Sequence, residues 1–527
     1  MRRGDNMRRF NHKVTAAIMS AILMSTALMG CGQKAENLAK SENIKVENKV
    51  YAVNDTAIAN TINKNVPKYI FLFIGDGMSY PQVQSAAYYL GTMGNDGGVQ
   101  TEKLSFMNFP VSGSAQTFDS TSFCPDSAST ATSISTGNKT YSGVINMDTS
   151  KTVAYETITE KLKEQLGYKI GVLTSVNLNH ATPAAFYAHQ ASRSNYYEIG
   201  QELIASGFDY FAGGGLLTPT GKNKDLPDLY EVAQKAGYTV TTTQSEIEGV
   251  SKEKGKVIAI DENLADSDSM AYAMDLQEGQ WELADYVEKG IEVLDNDNGF
   301  FMMVEGGKID WACHANDAAA SINDTLALDE AVQVAYKFYQ ENPEDTLILV
   351  TGDHETGGLT IGFAGTNYDT YLKNLDNQKI SFAKFDSDYV EGYKENKTPF
   401  SQVLVDIKNN FGLMTSDDVE AEANPTLVLT DYEIEKLRTA YERTLEVGPS
   451  SQKKMLQGEY VLYGTYEPLS VTITHILNNK SGIAFTSYSH TGLPVPVFAI
   501  GNGSSLFEGY YDNTDIFKKL SKLTGVK

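Results

Sequence analysis

Six apolar runs punctuate the chain. The first, Tyr69-Ile70-Phe71-Leu72-Phe73-Ile74, stops at Gly75-Asp76-Gly77. Others occupy 170–174, 257–260, 300–304, 346–350 and 495–500. Runs this short and this continuous predict strands buried on both faces. Amphipathic stretches separate several of them, at 154–166 and 322–340, and predict helices. Strands alternating with helices imply an α/β fold, with a mostly parallel central sheet covered on both faces. Ligand sites of such sheets lie just beyond the carboxyl ends of the strands. Asp76 follows the first run, Glu305 the run at 300–304, and Asp353-His354 the run at 346–350. The pattern therefore gathers these acids and this histidine on one edge.

The pattern changes at 363–484, which is rich in Tyr, Asn, Asp and Lys, predicts a helix at 431–445 and shows no central-strand pattern. It reads as a large insertion between the last two core strands, placed to cap the site. The core is then 67–362 plus 485–527. Residues 31–66 lack a sustained apolar period and read as a flexible tether. Before them, Arg2, Arg3, Arg8, Arg9 and Lys13 precede an apolar run at 14–29 that is too short for a membrane span. With Leu28-Met29-Gly30-Cys31 closing it, segment 1–30 resembles a bacterial lipoprotein signal, which would leave Cys31 lipidated and the chain tethered to a membrane outside the cytoplasm. A plain secretory signal or an uncleaved anchor would also export it.

Charge and cysteine content narrow the chemistry. The formal net charge is −24, and the first thirty residues carry five bases against one acid, so the remainder is more acidic still. Such a surface argues against a nucleic-acid partner. An anionic substrate would need concentrated local positive charge, which metal ions can supply. Beyond Cys31 only Cys124 and Cys313 remain. Two cysteines make no disulfide framework, and both read as packing residues.

Four of the seven histidines sit in short polar stretches beside acids or hydroxyls: Asn179-His180-Ala181-Thr182, Asp310-Trp311-Ala312-Cys313-His314, Gly352-Asp353-His354-Glu355 and Ser489-His490-Thr491-Gly492. Imidazole mixed with carboxylate suits a hydrolytic zinc or zinc/magnesium site. His12 falls in the signal, and His189 and His475 lack acidic companions, which makes them structural. A second centre is Pro125-Asp126-Ser127-Ala128-Ser129-Thr130-Ala131-Thr132. Ser127 would open a helix of small residues, where free N–H groups favour an anion. The plainer reading is an N-cap. Gly-x-Ser-x-Gly is missing, so this is not an esterase elbow.

Together these blocks resemble the alkaline phosphatase family. The Asp-Ser-Ala-Ser-Thr-Ala-Thr run is similar to its nucleophile signature. Gly75-Asp76-Gly77-Met78, His180-Ala181-Thr182-Pro183-Ala184, Val304-Glu305-Gly306-Gly307-Lys308-Ile309-Asp310, Gly352-Asp353-His354 and His490-Thr491-Gly492 match its other blocks in order. The resemblance implies two Zn2+ and one Mg2+ per chain. One zinc would be held by Asp310, His314 and His490. The second would be held by Asp353, His354 and Asp76, with Ser127 completing it. The magnesium would be held by Asp76, Thr182 and Glu305. Nitrogen-bearing sets suit zinc and the oxygen-only set suits magnesium.

The resemblance also implies hydrolysis of small phosphate monoesters through a phosphoserine on Ser127, with inorganic phosphate as product and inhibitor, and it allows a homodimer. Arg193 stands where the family keeps its phosphate-binding arginine. It is the only one of seven arginines outside the signal region and the insertion, and a planar fork suits two phosphoryl oxygens. Three divalent ions with Arg193, against four carboxylates, would leave the pocket at about +3. His180 stands where some members have Asp, and Trp311 where others have Lys or His, so both would act from behind the ligands. Alternatives are another metal hydrolase of the wider superfamily, acting on diesters or sulfates, and a non-catalytic surface lipoprotein. The serine signature argues against a sulfatase. Arg193 beside a full ligand set favours monoesters.

Overall fold

The computed structural model describes residues 66–446 and 456–527. The signal, the tether and Cys31 lie outside the described residues. The described chain builds a ten-stranded sheet. Its strands are β1 (Tyr69–Gly75), β2 (Val111–Gln116), β3 (Lys169–Thr174), β4 (Tyr210–Gly213), β5 (Tyr238–Thr241), β6 (Lys256–Ile260), β7 (Phe300–Gly306), β8 (Thr346–Gly352), β9 (Val495–Gly501) and β10 (Gly509–Asp512). Their order across the sheet is β10-β2-β9-β8-β1-β7-β3-β4-β6-β5. All pairings are parallel except those of β9 with β2 and with β8.

Strand β1 shows how the sequence makes two cores. Side chains alternate across a strand, so Tyr69, Phe71 and Phe73 enter one cluster while Ile70, Leu72 and Ile74 enter the other. The first face is covered by α1 (Tyr80–Gly94), a helix at Leu283–Leu294 and a long helix at Ala318–Glu341. The second is covered by α2 (Ser127–Thr136), Tyr196–Ser206 and Thr514–Thr524. Every residue of β1 is buried, as its unbroken apolar run requires.

The sheet is larger than the six apolar runs imply. Strands β2, β4, β5 and β10 were not among them, because β2 alternates buried and exposed residues, β4 and β5 have four residues each, and β10 is largely exposed. The insertion consequently does not separate the last two strands, since β10 follows β9. The helix expected at 154–166 begins only at Ile158 and widens into a π-type turn over Leu162–Leu166. Between β8 and β9 the chain adds no strand to the large sheet. It contributes two short antiparallel ladders instead, Thr360–Ile361 with Ile483–Ala484 and Glu355–Thr356 with His490–Thr491. Phe382 and Tyr466 of this stretch pack against Ala312 and Ala315, beside a helix at Lys308–His314.

Candidate active site and metal centre

Three strands end level. Ile74 of β1 pairs with Glu305 of β7, and Gly75 pairs with both Gly306 and Gly352. Asp76, Glu305 and Asp353 therefore converge at one edge, all fully buried. Gly77 takes a left-handed φ of +69°, and a Cβ there would come within 2.8 Å of Thr356 Oγ1. Only glycine fits this turn, which lets the Gly77 N–H donate to Asp353 Oδ1 at 3.1 Å.

The first cluster is Asp310, His314 and His490. Asp310 and His314 stand four apart on the helix Lys308–His314, hence on one face. The short ladder carries His490 in from beyond the insertion, opposite Thr356. His314 Nδ1 donates to the Tyr488 carbonyl at 2.6 Å, and His490 Nδ1 to the Pro125 carbonyl at 2.5 Å. Carbonyls only accept, so each neutral ring is left with its lone pair on Nε2. Those two Nε2 atoms lie 3.0 Å apart, and 3.3 and 3.5 Å from the Asp310 carboxylate. Lone pairs meeting without a hydrogen between them call for a cation, and the donor set fits zinc.

The second cluster is Asp76, Asp353 and His354. His354 Nε2 lies 3.2 Å from Asp76 Oδ1 and 3.3 Å from Asp353 Oδ2. Thr356 Oγ1 donates to Asp310 Oδ1 at 2.5 Å and sits 3.2 Å from His354 Nδ1, so it ties the two clusters together. Ser127 Oγ stands 3.1 Å from His354 Nε2 and 3.4 Å from Asp76 Oδ1. Ser127 is the first residue of α2, whose N-cap Asp126 accepts from Ser129 N. Asp126 also holds Arg193 Nη1 at 3.0 Å, which brings the guanidinium beside the serine.

The third cluster is Asp76, Glu305 and His180. Thr182 Oγ1 donates to Asp76 Oδ2 at 3.1 Å, and Thr174 donates to Glu305 Oε2. Glu305 Oε1 is buried with no hydrogen-bond partner, as a ligand oxygen for a hard cation would be. His180 thus stands among the oxygens themselves, closer in than its sequence position behind Thr182 implies. Arg193 Nη2 lies 3.0 Å from His180 Nε2; a guanidinium only donates, so this nitrogen accepts. Trp311 flanks the group with its ring 5.9 Å from that of His180.

The electrostatics show the same demand for positive charge. Burial, then Asp76, pushes the Asp353 carboxyl up to about 8. The same two causes push Glu305 well above the usual range. Burial would lower His354, but Asp353 and Asp76 outweigh it and raise the ring to about 10. Divalent cations would relieve this crowding of carboxylates.

Every proposed ligand, Ser127, Arg193, His180 and Trp311 thus belongs to one constellation. Sequence reasoning missed Thr174, Thr356 and the part of Thr130, whose Oγ1 donates to Asp353 Oδ2 at 3.0 Å, although Thr356 lies two residues past His354, the same-face spacing in extended chain. Two expectations need correction. Cys124 is exposed, so it is not a packing residue, whereas Cys313 is buried. His189 does have acidic companions, Glu160 at 3.5 Å and Glu202 at 3.6 Å, supplied by distant segments.

A sequence profile described as alkaline phosphatase matches residues 67–526. Alkaline phosphatase 4 of Bacillus subtilis is 28% identical over 479 residues, covering 88% of this chain and 91% of that protein. The crystal structure of a cold-active alkaline phosphatase from a psychrophilic Shewanella species superposes with a TM-score of 0.67 at 26% identity, covering 86% of this chain and 99% of the other. A His→Glu mutant of the alkaline phosphatase from the Antarctic bacterium TAB5, with magnesium bound in its M3 site, gives 0.59 at 26% identity, covering 88% and 99%.

Proposed function

The chain belongs to the alkaline phosphatase family and is an alkaline phosphatase, acting on phosphate monoesters with metal ions; within that activity we propose a two-zinc, one-magnesium site that works through a phosphoserine on Ser127. The observation that carries this reading is the position of Ser127 Oγ, 3.1 Å from His354 Nε2 at the start of a buried helix. The positive end of the helix, together with a cation held by Asp76, Asp353 and His354, would stabilise the ionised form of a hydroxyl there.

Asp310, His314 and His490 would hold one zinc, and Asp76, Asp353 and His354 the other. Asp76, Glu305 and Thr182 would hold the magnesium. When bound, such ions stabilise developing oxyanion charge and ease ionisation of hydroxyl and water near neutral pH. Ser127 Oγ attacks phosphorus, the Oγ–P bond forms, and the ester P–O bond breaks to release the alcohol with a proton. Water then attacks the same phosphorus, the Oγ–P bond breaks, and inorganic phosphate leaves while Ser127 regains its proton. Arg193, steadied by Asp126, orients the phosphoryl oxygens through its fork. Localisation belongs to the same reading: export, lipidation at Cys31, and a tether over 31–66.

Ser127→Ala is expected to lower phosphomonoesterase turnover by about a thousandfold or more, with two zinc and one magnesium ions still present per chain on elemental analysis. A variant with native turnover, or an active native enzyme lacking zinc, would overturn the reading.

A further inference from the structure

We propose that a groove beside Ser127, walled by Phe118, Phe123, Pro494 and Tyr510, receives the leaving group of the ester and selects flat, uncharged aromatic or heteroaromatic rings. This deepens the phosphoserine reading and rests on it.

The groove measures about 330 Å³, at the lower end of small-molecule sites. It lies on the active edge of the sheet. Ala115 at the end of β2 pairs with Val495 at the start of β9, and Val497 pairs with Thr351 near the end of β8. The groove thus sits at the same level as Asp353, on the flank of the sheet closed by β2 and β10.

Two segments of the site build it. Phe123 stands four residues before Ser127, and Pro125 between them takes the hydrogen bond from His490 Nδ1. Gly492 stands two residues after His490. A Cβ on Gly492 would come within 3.0 Å of the Phe123 carbonyl oxygen, so the two segments pass in close contact. An in-line displacement places the departing oxygen opposite Ser127 Oγ; with Ser127 Oγ set against His354 and Asp76, the cluster of Asp310, His314 and His490 is the one left to receive it. The organic group therefore leaves toward the segment that forms the groove.

The walls suit a ring. Phe123 is 83% exposed, Tyr510 63% and Phe118 36%. Three exposed aromatic side chains around one cleft are an apolar surface that a partner would cover. No lining residue is charged, which disfavours an ionic leaving group. The Phe118 wall is held in place: Lys139 Nζ lies 4.1 Å above its ring, donates to its carbonyl at 2.5 Å and to Asn513 Oδ1 at 2.6 Å, and pairs with Asp512 at 3.3 Å. A fixed wall and an exposed Phe123 can sandwich a planar group between them.

The test compares competitive inhibition by methylphosphonate, benzylphosphonate and naphthylmethylphosphonate, using the zinc- and magnesium-loaded enzyme. These share one head group and differ only in the ring, so the ratio of their inhibition constants cancels general effects on the phosphoryl site. The native enzyme is expected to bind the aromatic members about tenfold more tightly than methylphosphonate. Phe123→Ala and Tyr510→Ala are each expected to bring that ratio toward one, and Phe123→Trp to restore it. A ratio unchanged in both alanine variants overturns the proposal. A change of oligomeric size in those variants, read by light scattering, also overturns it, since the groove would then be a contact between copies. If native enzyme loses no phosphomonoesterase activity on Ser127→Ala, the phosphoserine reading fails and takes the groove's role with it. If Ser127 is essential and the ring makes no difference, the groove alone is wrong.

Discussion

Single atoms decide the metal chemistry here. Carbonyls of Tyr488 and Pro125 fix the tautomers of His314 and His490, which leaves two inward-facing Nε2 lone pairs able to hold a cation. His180 differs. Its Nε2 accepts from Arg193, so the ring offers neither charge nor a free Nε2 to a hard cation. Among Asp76, Glu305 and Thr182, a carboxylate at 180 would bind magnesium better than imidazole does. His180→Asp is therefore expected to tighten magnesium binding by about tenfold, measured by titrating the ion into metal-stripped, zinc-reloaded enzyme. Tighter binding by the native protein would contradict this. The candidate ligands were legible in the sequence because they occur as short local blocks. It did not reveal Thr174 or the orphaned Glu305 oxygen, because their roles arise only when β3 and β7 lie side by side.

Elements show the same divide. Strands with unbroken apolar runs, such as β1 and β7, were legible because burial on both faces leaves no polar alternation. Strand β2 has small, alternating residues, and β10 is an exposed edge, so neither carries that signal. His189 shows what distance in sequence hides. It joins the segment leading to Arg193 to Glu160 and to Glu202 of the helix Tyr196–Ser206. Burial opposes its charge, but Glu160 and Glu202 raise its pKa to about 10. A raised folded-state pKa gives stability that is complete below the unfolded value of about 6.5 and is lost as pH rises through the folded one. His189→Gln should therefore lower the melting temperature by a few degrees at pH 6. The gap should shrink steadily toward pH 10 and beyond. A gap that widens between pH 7 and 10 would count against the ion pair.

At the scale of the whole molecule, the site and the N-terminal entry lie at opposite edges of the sheet. Val66 leads into the amino end of β1, whereas Asp76 follows its carboxyl end. A lipidated Cys31 would tie that entry to a membrane through the tether at 31–66. Among the described residues no helix is long and apolar enough to cross a membrane. Cys31→Ser should release soluble, active enzyme or halt processing. A mature native protein without lipid, read by mass spectrometry, would refute the anchor. The insertion was visible as a break in the strand pattern. The ladder that flanks it was not: Glu355–Thr356 with His490–Thr491, which sets His490 opposite Thr356, is two residues long, below what any periodicity can register.

All three scales meet at Ser127, where a helix start, two ligand clusters and Arg193 converge. The most direct test quenches the enzyme in acid during turnover of a phosphate monoester and maps the bound phosphate by peptide mass spectrometry. Phosphoserine at Ser127, absent from Ser127→Ala, is the expected result. Phosphate on any other residue would contradict the account.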